Sequence, residues 1–79
     1  MLTELKNAEK VIGVKQSRKA IRDGVAKKVY VAQNADSRVR EPVVALSNEL
    51  KVEVVEVATM EELGHACGIG VGAAVAVII

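Results

Sequence analysis

The chain has 79 residues, 51% of them apolar and 1% aromatic, and a formal net charge of +1. That length holds a single domain, residues 1–79, with little interior to spare for a deep catalytic cleft. Its aliphatic content is too high for a disordered chain. One Cys and one His exclude an internal disulfide framework and a four-ligand zinc site drawn from this chain alone.

In chain order the patterns alternate. Residues 2–10 predict a short helix with Thr3 as its N-cap, and residues 11–12 a very short strand. A helix over residues 15–23 is stopped by Gly24, a residue type common just past helix ends. Residues 28–32 (KVYVA) predict a strand. Asn34 and Asp36 mark a loop, and Asp36 or Ser37 caps a helix that runs to about Leu50. Pro42 is expected in the first turns of that helix, where a missing N–H costs little. Residues 52–57 (VEVVEV) predict a strand, although Glu53 and Glu56 break the period of two and leave its faces open. Thr59 with Glu62 three residues later has the spacing of a capping box, opening a helix that ends between Gly64 and Gly68. Residues 73–79 (AAVAVII) predict a buried last strand. This order predicts an α/β fold: a three-layer α-β-α sandwich around a small mixed sheet of about four strands.

The small net charge conceals a strong asymmetry. Residues 1–40 carry ten basic and four acidic side chains, a balance of +6, whereas residues 41–79 carry Lys51 against six glutamates, a balance of −5. Segregation of this kind suits a surface that faces a polyanion, or it reflects solvated faces with no partner. The lone Cys fits a reducing, cytoplasmic setting. The N-terminal MLTELKNAEK has no apolar signal core, and the apolar run 69–79 is too short to span a membrane. Nothing in the pattern demands more than a monomer.

Two stretches carry chemistry. In GVKQSRKAIRDG (residues 13–24), Lys15, Arg18, Lys19 and Arg22 stand at i, i+3, i+4 and i+7 and share one helix face. Ala20, Ile21 and Ser17 fall on another face, suited to packing on the sheet. Gly13 permits a tight turn into the helix. The helix start then offers free N–H groups and a positive dipole end beside Lys15 and Gln16, an arrangement suited to a phosphate or an electron-rich base edge. The competing reading is a solvated basic face. Basic residues at a helix start are unfavourable to the dipole by a few tenths of a kcal/mol, which argues mildly that they face something negative.

The second stretch is LGHACGIGVGAAVAVII (residues 63–79), with four of the six glycines in nine residues. A phosphate cradle is disfavoured, because a strand follows the glycines and no Lys-Ser/Thr pair is present. A Cys67–His65 dyad is also disfavoured: two apart on a helix they point apart, and no third group orients them. Cys67 reads as a small buried residue and His65 as a surface one. Ile69, Gly70 and Val71 form either a plain turn or an apolar surface for unstacked bases. The single aromatic, Tyr30, lies in a predicted strand and argues against an aromatic stacking platform. No cofactor and no catalytic residue are expected.

Together the two stretches resemble a known family. The pattern G-x-K-Q-x-x-K-A (Gly13, Lys15, Gln16, Lys19, Ala20), then Gly24, then L-G-x-A-x-G-I-x-V-x-A-A (Leu63, Gly64, Ala66, Gly68, Ile69, Val71, Ala73, Ala74), is similar to the kink-turn-binding ribosomal proteins of the L-seven-Ae and L-thirty-e type, in particular their small bacterial YbxF-type members. The resemblance covers nearly the whole chain. It implies a non-enzymatic α-β-α sandwich that binds structured RNA, with ribosomal RNA or an mRNA leader as the source of the kink-turn. It also implies roles by position. Lys15 and Gln16 would meet the guanine edges of the tandem sheared G·A pairs, Lys19 a guanine or the backbone, and Gly13 and Val14 would shape the helix start. Arg18 and Arg22 extend the same basic face. Ile69, Gly70 and Val71 would line the pocket for the flipped-out bulge. Archaeal and eukaryotic members usually carry Asn-Glu where this chain has Lys15-Gln16, which adds a positive charge and removes both an anion and a strong acceptor. The alternative expectation is a protein-interaction or assembly module of the same fold, whose acidic half (Glu53, Glu56, Glu61, Glu62) docks a basic partner.

Overall fold

The computed structural model describes residues 3–79, with side chains inside the first helix from Leu5 onward. The elements alternate as α1 (Thr3–Asn7), β1 (Lys10–Ile12), α2 (Val14–Arg22), β2 (Lys28–Ala32), α3 (Ser37–Glu49), β3 (Glu53–Val57), α4 (Met60–Cys67) and β4 (Val75–Ile78). The strands form one mixed sheet in the order β1-β4-β2-β3. β4 is antiparallel to both β1 and β2, whereas β2 and β3 are parallel. A parallel pair needs a crossover connection, and α3 supplies it.

Side-chain alternation divides the core into two layers. Tyr30, Ala32 and Ala76 pack on one face of the sheet with Leu5 of α1 and Leu63 and Cys67 of α4. Val29, Val31, Val75 and Val77 pack on the other with Ala20 and Ile21 of α2 and Val43 of α3. β4 therefore has helices over both faces, and an apolar strand with no polar alternation is what such a position requires. The same alternation resolves β3. Val55 belongs to the α1–α4 layer and Val54 to the α2–α3 layer. Glu56 faces α3, where the Arg40 guanidinium donates to its carboxylate at 2.8 Å.

Several boundaries differ from the sequence expectation, because of where particular backbone N–H groups find their partners. α1 ends at Asn7 and not at Lys10, because Lys10 pairs with Ile78 as the first residue of β1. Leu2 lies outside the described residues, and so does the Thr3 side chain expected to cap α1. β4 begins at Val75 and not at Ala73, since the Ala73 N–H donates to the Met60 carbonyl instead of a strand. Val52 stays out of β3 because its N–H closes onto the Ser47 carbonyl at 2.8 Å. Pro42 is the sixth residue of α3, beyond the first four N–H groups that lack helical partners. It therefore removes a helical hydrogen bond, contrary to the expectation from sequence.

Capping matches the sequence signals. The Asp36 carboxylate accepts from the Arg38 N–H at 2.8 Å, and the Thr59 hydroxyl accepts from the Glu62 N–H at 3.0 Å. Strand register then decides where the site lies. Ile12 stands opposite Ala76, Val31 opposite Val75 and Ala32 opposite Val57. The ends of β1, β2 and β3 thus lie at the same end of the sheet as the start of β4. The starts of α2, α3 and α4 gather there with the last residues of the segment 68–74, the Ala73 N–H donating to Met60 and the Ala74 carbonyl accepting from Ala32.

Candidate nucleic-acid interface

α2 begins at Gly13, whose φ of 108° and ψ of 155° suit glycine and few other residues. The Gly13 N–H donates to the Val75 carbonyl at 3.0 Å, and its own carbonyl accepts from the Ser17 N–H at 3.0 Å. This glycine ties the helix start to the first residue of β4. No side chain caps α2, so its first amides and the positive dipole end are left for solvent or a ligand.

The helix is sharply two-sided. Ser17, Ala20 and Ile21 are buried against the sheet and Val14 is half-buried beside them, while Lys15, Gln16, Arg18, Lys19 and Arg22 are exposed. Among the described residues none of these four cations enters an ion pair. The glutamates beyond residue 40 all fall on α3, β3 and α4, and among the described residues none of them pairs with the four cations of α2.

The second stretch becomes a tethered loop. α4 ends in Gly68 at φ 82°, the left-handed cap that glycine adopts without strain. The Ile69 N–H returns to the Gly64 carbonyl at 3.1 Å, and the Ala73 N–H reaches Met60 at the other end of α4 at 3.0 Å. Between these tethers the Val71 carbonyl lies against Gly64, and Gly72 lies against Met60. The Val71 side chain is left 71% exposed, Gly70 is exposed, and Ile69 is half-buried on the α1–α4 core. An open groove of about 890 Å³ runs beside this loop, lined by Lys6, Glu61, Glu62, His65, Ile69 and Gly70 among others.

Cys67 is buried and His65 exposed on the same helix, as expected from their spacing. Burial pushes the Cys67 thiol up from its usual range, with the Lys10 charge pulling weakly the other way. Among the described residues no three His, Cys, Asp or Glu side chains gather as a metal site. No described helix is long and apolar enough to cross a membrane. Tyr30 is buried in β2 and presents no stacking surface.

Sequence reasoning found both stretches but missed a residue that organises one of them. The Asn34 side-chain oxygen accepts from the Met60 N–H at 2.8 Å, across 26 residues of chain. The sequence signal was only a polar loop.

These features define an α-β-α sandwich with a cationic helix start and a glycine-rich apolar loop at one end of its sheet. A family model described as "Ribosomal protein L7Ae/L30e/S12e/Gadd45 family" matches residues 2–79, and the chain belongs to that family. The "RNA-binding protein YbxF" of Geobacillus stearothermophilus is 46% identical over 69 residues, covering 87% of this chain and 84% of its own. The "RNA-binding protein GWCH70_0105" of a Geobacillus species is 40% identical over 75 residues, covering 95% and 92%. Among solved structures, the "Giardia lamblia 15.5kD RNA binding protein" superposes with a TM-score of 0.88 at 25% identity, over 98% of this chain and 68% of that one. A Bacillus halodurans protein of unknown function, at TM-score 0.88 and 21% identity over 98% and 81% of the two chains, shares the fold.

Proposed function

We propose that this chain is a non-enzymatic, cytoplasmic, monomeric RNA-binding protein that recognises kink-turns. The observation that carries this reading is the 3.0 Å hydrogen bond from Gly13 to Val75. It holds the uncapped cationic start of α2 at the same sheet end as the last residues of the exposed apolar loop. A kink-turn presents two matching features side by side: guanine edges of sheared G·A pairs, and bases flipped out of the stack.

In this reading Lys15 and Gln16 meet the guanine edges, Lys donating to O6 and N7 and Gln both donating and accepting. Lys19 meets a guanine or the backbone. Arg18 and Arg22 neutralise phosphates, which makes binding salt-dependent. Gly13 and Val14 set the angle of approach. Ile69, Gly70 and Val71 cover the flipped bases with apolar and backbone surface. Burial of Tyr30 supports recognition by shape and basic contacts and not by aromatic stacking. The names of the relatives support RNA as the ligand, and ribosomal RNA or an mRNA leader is the source proposed here.

The test is a titration into a labelled kink-turn, with a control RNA lacking the sheared G·A pairs. Binding to the first and not the second is expected. Equal affinity for both would reject kink-turn recognition. The exposure of Glu53 and Glu56 on β3 and of Glu61 and Glu62 on α4 favours one second reading, in which these glutamates dock a basic protein partner. A partner retained after nuclease treatment and lost on reversal of Glu61 and Glu62 to Lys would support it.

A further inference from the structure

We infer that Asn34 is a positioning residue for the loop 68–73, and so for the RNA's flipped-out bases, a role that rests on the RNA reading above. Met60 is the first residue of α4 and its N–H is one of the amides a helix leaves without an internal partner. Thr59 satisfies the amide of Glu62, and Asn34 satisfies that of Met60 at 2.8 Å. The carbonyl of this same Met60 accepts from the Ala73 N–H at 3.0 Å. A single residue is thus held from behind by Asn34 and in turn holds the end of the loop. Gly72 rests against Met60 as well: a Cβ there would lie 3.3 Å from the Met60 Cβ.

Asn34 is itself anchored to the sheet. The Gln33 N–H donates to the Val57 carbonyl at 2.7 Å, and the Ala35 N–H to the Ala32 carbonyl at 3.2 Å. The turn that carries Asn34 therefore bridges the ends of the parallel pair β2–β3. Position passes from the sheet through Asn34 to Met60 and on to Ala73. The other end of the loop is anchored separately, by Ile69 on Gly64. Loss of the Asn34 oxygen frees the first turn of α4 and with it only the Ala73 end of the loop. The cationic start of α2 is fastened through Val75 and does not depend on it.

The experiment compares the full chain as wild type, Asn34→Ala and Asn34→Asp. Asp keeps the acceptor for Met60 but loses the amide donor and adds a negative charge. Amide hydrogen exchange on the free protein is expected to speed up at Ala73 in Asn34→Ala and to remain near wild type in Asn34→Asp. Each protein is then titrated into a kink-turn and into the same RNA with abasic bulge positions. Asn34→Ala is expected to lose about fivefold in affinity for the intact RNA, as suits one hydrogen bond, and nothing for the abasic RNA. Unchanged exchange at Ala73, or an equal loss on both RNAs in Asn34→Ala, would overturn the inference. Failure of the wild type to distinguish a kink-turn from its G·A-lacking control would reject the RNA reading instead, while hydrogen exchange would still decide whether Asn34 holds the loop.

Discussion

The carbonyl of Val71 lies where a side chain on Gly64 would have to go. Gly64 is buried in the middle of α4, where alanine would ordinarily be favoured by about 1 kcal/mol. The obstructing atom is a backbone oxygen that cannot rotate away, so the clash outweighs this propensity. Gly64→Ala is expected to destabilise the fold by a net ~1–2 kcal/mol, as overpacking does, and to displace the loop. Gly70, with nothing within 4 Å of an added Cβ, is the control. Thermal unfolding of both variants checks this. Equal stability would mean that the loop yields freely to a methyl group.

Lys15 and Lys19 are exposed and free of ion pairs among the described residues. Their replacement by alanine should leave the melting temperature unchanged and weaken kink-turn binding by about 1–3 kcal/mol if the contacts are to bases. Titrations at several salt concentrations separate the two kinds of contact. Loss of a phosphate contact lowers the salt slope by about one unit. If neither variant changes affinity, α2 is not part of the interface.

Two buried serines should respond in opposite directions. The Ser47 hydroxyl donates to the Val43 carbonyl at 2.8 Å, whereas the Ser17 hydroxyl is buried without a hydrogen-bond partner among the described residues. Ser47→Ala is expected to cost about 0.5–1 kcal/mol, the net worth of one hydrogen bond. Ser17→Ala removes a desolvated hydroxyl and adds helix propensity, so it should stabilise by about 1 kcal/mol. Urea unfolding midpoints decide the matter. Since Ser17 faces the sheet, RNA affinity should not move.

Asp36 joins the α3 cap to pH. The Arg38 guanidinium, and after it the Arg38 N–H, holds the Asp36 carboxyl below the usual carboxylate range. A pKa depressed on folding contributes stability that is complete above the unfolded value of about 3.9 and is lost as pH falls through the lower folded value. The substitution Asp36→Asn retains a capping side chain but removes the titrating group. The stability gap between wild type and Asp36→Asn should therefore be constant near neutrality and shrink in acid below the ordinary carboxylate pKa. A gap that stays constant down to about pH 2, below the usual carboxylate range, would detach the cap from the ion pair.

Much of this protein was legible in its sequence because the signals are local. The cationic face of α2, the caps at Asp36 and Thr59, and the left-handed stop at Gly68 follow from helical period and side-chain chemistry within a few residues. The limits of β4 were misplaced because they depend on where the Ala73 N–H goes, and Pro42 lies past the amides that lack partners although the Asp36 cap was read correctly. In β3, the sequence showed only that Glu56 breaks the alternation. The partner that makes this tolerable, Arg40, lies on another element.

The sequence by itself determined the order of the elements, the two-sided character of α2, and the two stretches that carry the candidate chemistry, because helical period and short apolar runs are written locally. Only the tertiary structure decided that β4 inserts between β1 and β2, and so that Gly13 meets Val75, Val71 crosses Gly64, and Asn34 reaches Met60. Strand order and register follow from which pairings bury both apolar faces while satisfying the backbone, and that competition is settled by the whole chain at once.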